Sequence, residues 1–199
     1  MTALYTAPTA LRPAPAKLRI MTTATRLFYG VGIRAVGVDR LISESTVTKA
    51  TFYKHYGSKD RLILEYMNAT HSTVRTNIDE LIQANIEPES TLRALVAAIV
   101  ADIARPDFRG CAFLNAAAEF PDAVDPVRDV ILRHREWYTG ILAGLLQNIG
   151  HPLAGDAADE LMLARDGAMA GGYAGDPIAA SAAFVRVADR VISGAPQRI

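Results

Sequence analysis

The chain has 199 residues, of which 50% are hydrophobic and 21% charged, a balance typical of a globular protein and not of a disordered one. Its single cysteine, Cys111, excludes an internal disulfide framework and is typical of a reducing cytosol. Residues 1–17 lack a basic segment followed by an apolar run, and the longest uncharged stretch, 137–155, is interrupted by polar residues and a proline. We therefore expect a cytoplasmic protein without a signal peptide or a membrane span.

The formal net charge of zero conceals an uneven distribution of charge along the chain. Residues 1–66 contain ten lysines and arginines against four acids, a balance of +6, and the remainder carries −6. All four lysines lie before residue 60. A basic N-terminal part on an acidic body indicates a polyanionic partner for that part alone. The alternative is a chance division of charge between solvated faces, which composition by itself leaves open.

Residues 1–16 contain three prolines among alanine and threonine, which predicts a flexible N-terminal arm. The basic residues Arg12, Lys17 and Arg19 allow two interpretations. They either form an arm that enters a minor groove of DNA or belong to a disordered tail. The composition favours the tail.

Three short helices are predicted next. Apolar residues recur with helical spacing from Ile20 to Val31, and Gly30 and Gly32 end this first helix. The second and third are expected over residues 37–45 and 48–55. Ser58 is a suitable N-cap for a fourth helix that extends to about Ala84.

The remainder of the chain is also predicted to be helical. An amphipathic stripe follows Ser90, and residues 110–120 indicate a short buried helix. Asp-Pro pairs at 125–126 and 176–177 predict the starts of two further helices, since aspartate caps a helix and proline is tolerated at its first position. Another helix is expected over 157–172, and the last should end at Ser193. Because no segment alternates with period two, we predict an all-α fold.

Two short helices joined by a few residues and braced by a third are typical of a helix-turn-helix unit, whose second helix lies in the DNA major groove. The segment VTKATFYKHYGSKD, residues 47–60, is suited to that position. Its lysines can reach phosphates or guanine edges, its threonines, tyrosine and histidine can donate hydrogen bonds, and the N-terminus at Ser58 offers free N–H groups. Phe52 and Tyr56, four residues apart, should instead face the core of this N-terminal part.

The stretch ATRLFYGVGIRAVGVDRLISESTVTKATFYKHYGSKDRLI resembles the N-terminal DNA-binding domain of the TetR family of transcriptional regulators. Residues 110–122, GCAFLNAAAEFPD, are similar to a stretch in the ligand domains of many members. The resemblance implies an all-helical homodimer with an N-terminal arm (1–16), a helix-turn-helix domain (17–62) and a helical effector-binding and dimerisation domain (63–199). It implies double-stranded operator DNA as the partner. The residues that match DNA-contacting positions of the family are Lys49, Ala50, Thr51, Tyr53, Lys54, His55 and Lys59. Thr48 is added to the predicted DNA-binding residues because its hydroxyl can bond to bases or phosphate.

Three positions depart from the pattern of the family. Thr46 occupies the turn position where the family usually has glycine; that position commonly needs a positive φ, which costs a β-branched residue about 1–2 kcal/mol. Gly37 replaces the usual serine or threonine at the start of the second helix, and Ile42 replaces an alanine. Thr46 predicts a less stable N-terminal domain or a locally different turn, whereas Gly37 is a tolerable N-cap and Ile42 requires the helix packing to make room.

An effector pocket needs apolar walls and a few polar groups. The candidates in the second domain are Phe113, Asn115, Glu119, Trp137, Tyr138 and Met169. An ordinary core would explain the aromatic residues equally well. Glu119 is the most informative candidate, because a carboxylate in an apolar helix requires solvent, an arginine or a ligand.

Other chemistry finds little support in the sequence. Cys111 is either a redox sensor or a buried inert thiol, and its alanine-rich surroundings favour the latter. His71, His134 and His151 are far apart, without the spacing of metal ligands. No nucleophile–base pair or phosphate-binding loop is present, so we predict neither catalysis nor a cofactor.

We therefore predict a dimeric, ligand-responsive repressor. Small residues between Ala164 and Ala183 would let the last two helices, about 157–193, pair with a second copy or pack internally. The alternatives are a DNA-binding activator or a regulator without an effector, and a helical enzyme or binding protein that carries a decayed DNA-binding domain.

Overall fold

The computed structural model of the chain describes residues 15–85 and 87–194. Within these residues all regular secondary structure is α-helical, in agreement with the predicted fold class. The predicted arm, residues 1–16, lies outside the described residues up to position 14. In chain order the helices are α1 (Ala16–Val31), α2 (Val38–Glu44), α3 (Lys49–Tyr56), α4 (Lys59–Ala84), α5 (Pro88–Ile103), α6 (Ala112–Glu119), α7 (Pro126–Asn148), α8 (Ala154–Ala174) and α9 (Pro177–Ser193).

Both Asp-Pro pairs begin helices, as the sequence predicts. The Asp176 carboxylate accepts hydrogen bonds from the backbone N–H groups of Ile178 and Ala179 at 2.8 and 3.1 Å, and Pro177 is the first residue of α9. Likewise, Asp125 accepts a hydrogen bond of 2.8 Å from the N–H group of Val127 in α7. In each helix an aspartate satisfies donors that the first turn leaves free.

Helices α5 and α8 begin earlier than predicted. Helix α5 starts at Pro88 instead of after Ser90, and α8 starts at Ala154 instead of residue 157. The N-cap residues of these helices, Glu87 and Leu153, make no side-chain hydrogen bond to the first turn. The sequence therefore contains no capping signal at either start.

The chain forms two compact units. Among the described residues the first, which we call the head unit, comprises 15–72 and 112–131, and the second, the body unit, comprises 73–111 and 132–194. The predicted domain division at residue 62 follows the chain, whereas these units also join residues 112–131 to the head. The domain boundary stays a prediction.

Each unit has its own apolar core. In the head unit α1, α2 and α3 pack together around fully buried side chains, among them Ile20, Leu27, Leu41, Phe52 and Tyr56. In the body unit α8 packs against α9 and α5. At Gly172 of α8 an added Cβ atom would lie only 2.6 Å from Cγ2 of Ile103 in α5, so the close approach of these helices requires glycine there.

Candidate DNA-binding site

Helix α3 is short and defined at both ends. The Thr48 side chain accepts a hydrogen bond of 3.1 Å from the backbone N–H group of Thr51, which caps the N-terminus. At the other end, Gly57 has a φ of 73° and donates its N–H group to the Tyr53 carbonyl at 2.9 Å. A left-handed glycine satisfies a terminal carbonyl without steric cost. Hydrogen bonds therefore fix both ends of α3.

The inner face of α3 is anchored in the core of the head unit. Phe52 and Tyr56 are both 0% exposed, as the sequence predicts. The Tyr56 hydroxyl donates a hydrogen bond of 2.9 Å to the Lys17 carbonyl of α1. Burial, assisted by the negative charge of Glu65, raises the pKa of Tyr56 to about 12, so this phenol remains a neutral donor at physiological pH.

The outer face of α3 carries the predicted DNA-binding residues. Lys49, Ala50, Tyr53 and Lys54 are exposed, whereas Thr51 and His55 are partly exposed. Tyr53 is 43% exposed although its ring also packs edge-to-face against Phe52, with ring centroids 5.4 Å apart. A rigid aromatic ring and two lysines thus stand on the face that is not used for packing.

Several cations of the head unit are occupied by partners of their own. Lys17 lies 3.0 Å from a carboxylate oxygen of Glu65, and Arg26 and Arg40 both bind the carboxylate of Glu44. Hydrogen bonds from Arg26 and then Arg40 lower the pKa of Glu44, so this group remains ionised and keeps both arginines engaged.

Three lysines differ from these cations. Within the described part of the chain Lys49, Lys54 and Lys59 form no ion pair with a carboxylate. Partial burial lowers the pKa of Lys59, against the opposite effect of Asp60 and Glu119. Lys59 opens α4, where the Ser58 hydroxyl accepts a hydrogen bond of 3.1 Å from the N–H group of Arg61. These three lysines are therefore available to meet DNA, and among the described residues the exposed Arg34 and Arg61 likewise form no ion pair with a carboxylate.

Thr48 has a structural role in addition to its predicted contact. Its hydroxyl oxygen caps α3 and lies 2.8 Å from the hydroxyl oxygen of Thr51. Part of the hydrogen-bonding capacity of both hydroxyls is thus used inside the protein. We expect Lys49, Tyr53 and Lys54 to carry more of the recognition than the threonines.

The cations assigned to an N-terminal arm are divided by the structure. Arg12 lies outside the described residues. Lys17 and Arg19 belong to α1, where Lys17 binds Glu65 and Arg19 donates a hydrogen bond of 3.2 Å to the Ser45 carbonyl. Neither a flexible arm nor a disordered tail therefore describes Lys17 and Arg19, because both residues are part of α1 and their side chains bind within the head unit.

Glu119 has a different partner from any that the sequence indicated. Its carboxylate accepts hydrogen bonds from the backbone N–H groups of Ile33, at 2.9 Å, and Arg34, at 2.6 Å. Both residues lie in the loop between α1 and α2, and Arg34 also stacks on the Phe120 ring at 5.1 Å. Helix α6 is thereby fixed to the loop that leads into the helix-turn-helix unit.

Thr46 occupies the turn between α2 and α3 with a φ of 52°, the one residue other than glycine with a positive φ in the described ranges. The expectation that this position needs a left-handed backbone is thus met. Its N–H group donates to the Ser43 carbonyl at 3.2 Å, which continues the tight turn after α2. A β-branched residue in this conformation costs about 1–2 kcal/mol.

Replacing Thr46 with glycine should stabilise the protein. Relief of the backbone strain exceeds the extra entropy that glycine loses on folding, so the free energy of unfolding should rise by about 1 kcal/mol. Urea denaturation measures this change. Ser43→Gly, an exposed position inside α2, is the matched control and should lower the stability by about 0.5 kcal/mol. A Thr46→Gly variant no more stable than the parent would contradict the strain.

Comparison with known proteins identifies the family. Residues 20–66 match the model "Bacterial regulatory proteins, tetR family", and residues 88–150 match "Tetracyclin repressor-like, C-terminal domain". The crystal structure of SCO4454, a TetR-family transcriptional regulator from Streptomyces coelicolor, is 38% identical and superimposes with a TM-score of 0.88. The alignment covers 92% of this chain and 96% of that one. The chain belongs to the TetR family of transcriptional regulators.

Two curated proteins extend the comparison of this TetR-family chain. It is 27% identical over 122 residues to the HTH-type transcriptional regulator LmrA of Bacillus subtilis (strain 168), covering 60% of this chain and 65% of LmrA. It is 24% identical over 123 residues to the HTH-type transcriptional repressor DhaR of Mycobacterium sp. (strain GP1), covering 60% of this chain and 59% of DhaR. The matched region is thus less than two thirds of either relative. The structural match confirms the predicted all-α fold class. Because the family consists of DNA-binding transcriptional regulators, the prediction that this chain is not an enzyme is also confirmed.

The residues predicted for an effector pocket of this TetR-family chain fall into both units. Phe113, Asn115 and Glu119 lie in the head unit, and Trp137, Tyr138 and Met169 lie in the body unit. The Glu119 carboxylate has a structural role, because it accepts two hydrogen bonds within the head unit. For all six residues, an effector contact stays a prediction.

A small cavity lies in the body unit of the TetR-family chain and includes Tyr138 among its lining residues. The full lining is Leu92, Leu95, Val96, Ile99, Tyr138, Leu142, Leu161, Arg165 and Phe184. Arg165 was not among the residues predicted from the sequence for an effector pocket. Its position four residues after Leu161 and three before Ala168, on the buried stripe of α8, is the signal that identifies it as an inward-facing cation.

The described residues of the TetR-family chain contain neither a helix suited to a membrane nor a cluster of metal ligands. None of these helices is both long enough and apolar enough to cross a membrane. His, Cys, Asp and Glu side chains form no group of three suited to a metal ion in the same residues. Cys111 is buried and lies 3.8 Å from two nitrogens of Arg165.

Proposed function

We propose that this protein is a transcriptional repressor that binds a palindromic operator as a homodimer and is released from it by a small molecule in the cytoplasm. One observation carries the DNA-binding part of this proposal. The outer face of α3 presents Lys49, Tyr53 and Lys54 to solvent, and these two lysines lack the acidic partners that Lys17, Arg26 and Arg40 have. Repression by the relative DhaR supports the sign of regulation.

In this proposal α3 lies in the major groove and reads base edges. Lys49, in the first turn of α3, contacts guanine, since a lysine can donate hydrogen bonds to O6 and N7 of guanine. Tyr53, Lys54 and His55 bind phosphates and fix the helix in register, and Lys59 binds the backbone beside the N-terminus of α4. Ala50 and Thr51 contribute close packing and contact with thymine methyl groups.

A dimer would use the outer faces of α8 and α9. Exposed residues on these faces are small, with Gly167, Ala170 and Ala174 on α8 and Ala179, Ala182 and Ala183 on α9. Leu163 and Ile178 are large apolar side chains that are 70% and 81% exposed. Small side chains permit close helix approach, and the exposed apolar residues gain from burial against a second copy. Two copies would place their α3 helices in successive major grooves.

Release would follow from a shift between two populations of the dimer. An effector that binds the DNA-incompetent arrangement more tightly lowers the DNA affinity by the ratio of its two affinities. The effector therefore needs no contact with DNA or with the head unit.

Selection of bound fragments from random DNA duplexes tests the DNA-binding proposal. We expect enrichment of an inverted repeat whose half-sites are separated by about one helical turn, or 34 Å. Gel retardation of that duplex should weaken steeply as salt is raised. Absence of retardation at low salt would reject the proposal, and enrichment of a site without inverted symmetry would reject the dimer.

A regulator without an effector is the second candidate, because the small cavity in the body unit has little room for a ligand. An activator is the other alternative. Transcription from the selected operator separates activation from repression. Failure of every compound in a broad thermal-shift screen to stabilise the protein would favour a regulator without an effector.

A further inference from the structure

Arg165 is a buried cation with few partners. The residue is 8% exposed, and its side chain reaches the core of the body unit from α8. Nη1 donates a hydrogen bond of 2.8 Å to Asp166, and both Nη1 and Nη2 lie 3.8 Å from Sγ of Cys111. The Nε atom is buried without a hydrogen-bond partner among the described residues. Since sulfur is a weak acceptor, the Nε–Nη2 edge of the guanidinium lacks a strong one.

The carboxylate paired with Arg165 is that of Asp166. Asp166 is shared, because Arg135 also binds it at 2.6 Å. Burial raises the pKa of Asp102, against the opposing effect of Arg105 and Arg165, and therefore disfavours the ionised form of this carboxyl group. Burial likewise raises the pKa of Tyr138, so the phenol over whose ring Arg165 lies at 5.0 Å supplies no charge at neutral pH. A buried cation is costly unless it is paired.

The space beside Arg165 is apolar apart from Tyr138. Seven aliphatic and aromatic side chains from α5, α7, α8 and α9 complete the cavity wall. The cavity volume is about 10 Å³, which is room for about one water molecule. A larger occupant must displace side chains such as Leu161 and Phe184. The cavity thus combines an apolar wall with one buried guanidinium whose Nε atom has no hydrogen-bond partner among the described residues.

We propose that the effector is an amphipathic organic anion, a single carboxylate on an alkyl or aryl body, whose carboxylate binds the Nε–Nη2 edge of Arg165. This inference rests on the proposed effector-released function and specifies the ligand class. A planar carboxylate matches two parallel donors of a guanidinium, and its charge compensates the buried cation. The apolar body fills the cavity. A polyanion such as a phosphate ester is a poor match, because Arg165 is the one cation in the lining.

Titration with matched acids and amides tests the proposal. Octanoate and 3-phenylpropanoate are compared with octanamide and 3-phenylpropanamide, which keep the same body but lack the charge. Fluorescence of Trp137, the single tryptophan, reports binding because its ring lies 5.8 Å from Tyr138. We expect at least one of the acids to bind about tenfold or more tightly than its amide.

Variants locate the preference at Arg165. Arg165→Met should remove the preference for the acid, and Arg165→Lys should retain part of it. Arg93→Met is the matched control, since Arg93 is an exposed arginine paired with Glu89 and Asp189, and it should behave as the parent. If Arg165→Met does not fold, the acid–amide comparison in the parent and in Arg165→Lys decides.

Each contrary result has a distinct meaning. Acids that bind no more tightly than amides, acids that do not bind, or a preference that survives in Arg165→Met would overturn this inference. Gel retardation by the unliganded protein is measured in parallel. Retardation without acid binding rejects the ligand class alone, whereas loss of retardation at low salt rejects the DNA-binding function.

Discussion

Replacing Lys59 with alanine should weaken binding to all DNA sequences by the same factor, whereas replacing Lys49 should also change which sequence is preferred. Lys59 stands at the start of α4, where we expect it to contact the DNA backbone when α3 lies in the groove. Lys49 stands in the first turn of α3, where a lysine can reach a guanine edge. We therefore expect these two lysines, ten residues apart, to serve separate roles in DNA binding.

The magnitudes follow from the loss of charge. A dimer loses two phosphate contacts when Lys59 is removed, so the slope of log affinity against log salt should decrease by about 2. We expect the affinity at low salt to fall on the order of tenfold to a hundredfold. For Lys49→Ala, discrimination at the contacted base pair should fall by about 1–3 kcal/mol. Fluorescence anisotropy with the selected operator, at several salt concentrations, measures both effects.

Lys17→Ala is the matched control for these variants. Lys17 is a lysine of the same head unit, but it binds Glu65 and lies 5.5 Å from the centre of the Tyr56 ring. Its removal should leave the salt slope unchanged and cost at most about 1 kcal/mol of stability, as is usual for an exposed ion pair. Equal slopes for the Lys59→Ala variant and the parent would place the DNA contact elsewhere.

Replacing Glu119 with glutamine should destabilise the head unit and reduce DNA affinity without changing the salt slope. The carboxylate accepts two backbone hydrogen bonds, one from Ile33 and one from Arg34. Glutamine keeps one acceptor oxygen and turns its NH₂ group toward the remaining N–H donor. Loss of one charge-assisted hydrogen bond should cost about 2 kcal/mol.

The unchanged salt slope separates this role from a direct contact with DNA. Glu119 releases no counterions, so a fall in affinity must come from a misplaced α1–α2 loop. Urea denaturation and anisotropy measure the two parts. Glu136→Gln makes the same chemical change at an exposed carboxylate and should alter neither quantity. A Glu119→Gln protein with parental stability would show that the two hydrogen bonds contribute nothing.

Local features of the fold could be predicted from the sequence, because they depend on neighbouring residues. The caps at Asp125, Asp176 and Ser58 each satisfy free N–H groups two or three residues away. The inward placement of Phe52 and Tyr56 follows from their spacing on one turn of α3. Such signals lie within a single helical turn.

Contacts between distant residues could not be predicted in this way. The hydrogen bond between Glu119 and Ile33 spans 86 residues, and the local pattern indicated only that the carboxylate needs a partner. Arg165 and Cys111, 54 residues apart, meet through the packing of the body unit. The engagement of Lys17 and Arg19 by Glu65 and the Ser45 carbonyl was equally unpredictable from local pattern. Which cations are free for DNA is thus a property of the folded head.

The connection between α3 and α4 consists of Gly57 and Ser58 alone. Gly57 continues the last turn of α3, and Ser58 caps the first turn of α4. With so little chain between them, the two helices cannot reorient independently. A label placed on the early turns of α4 would therefore report the orientation of α3. It would leave unchanged the side chains of α3 that we propose to enter the groove.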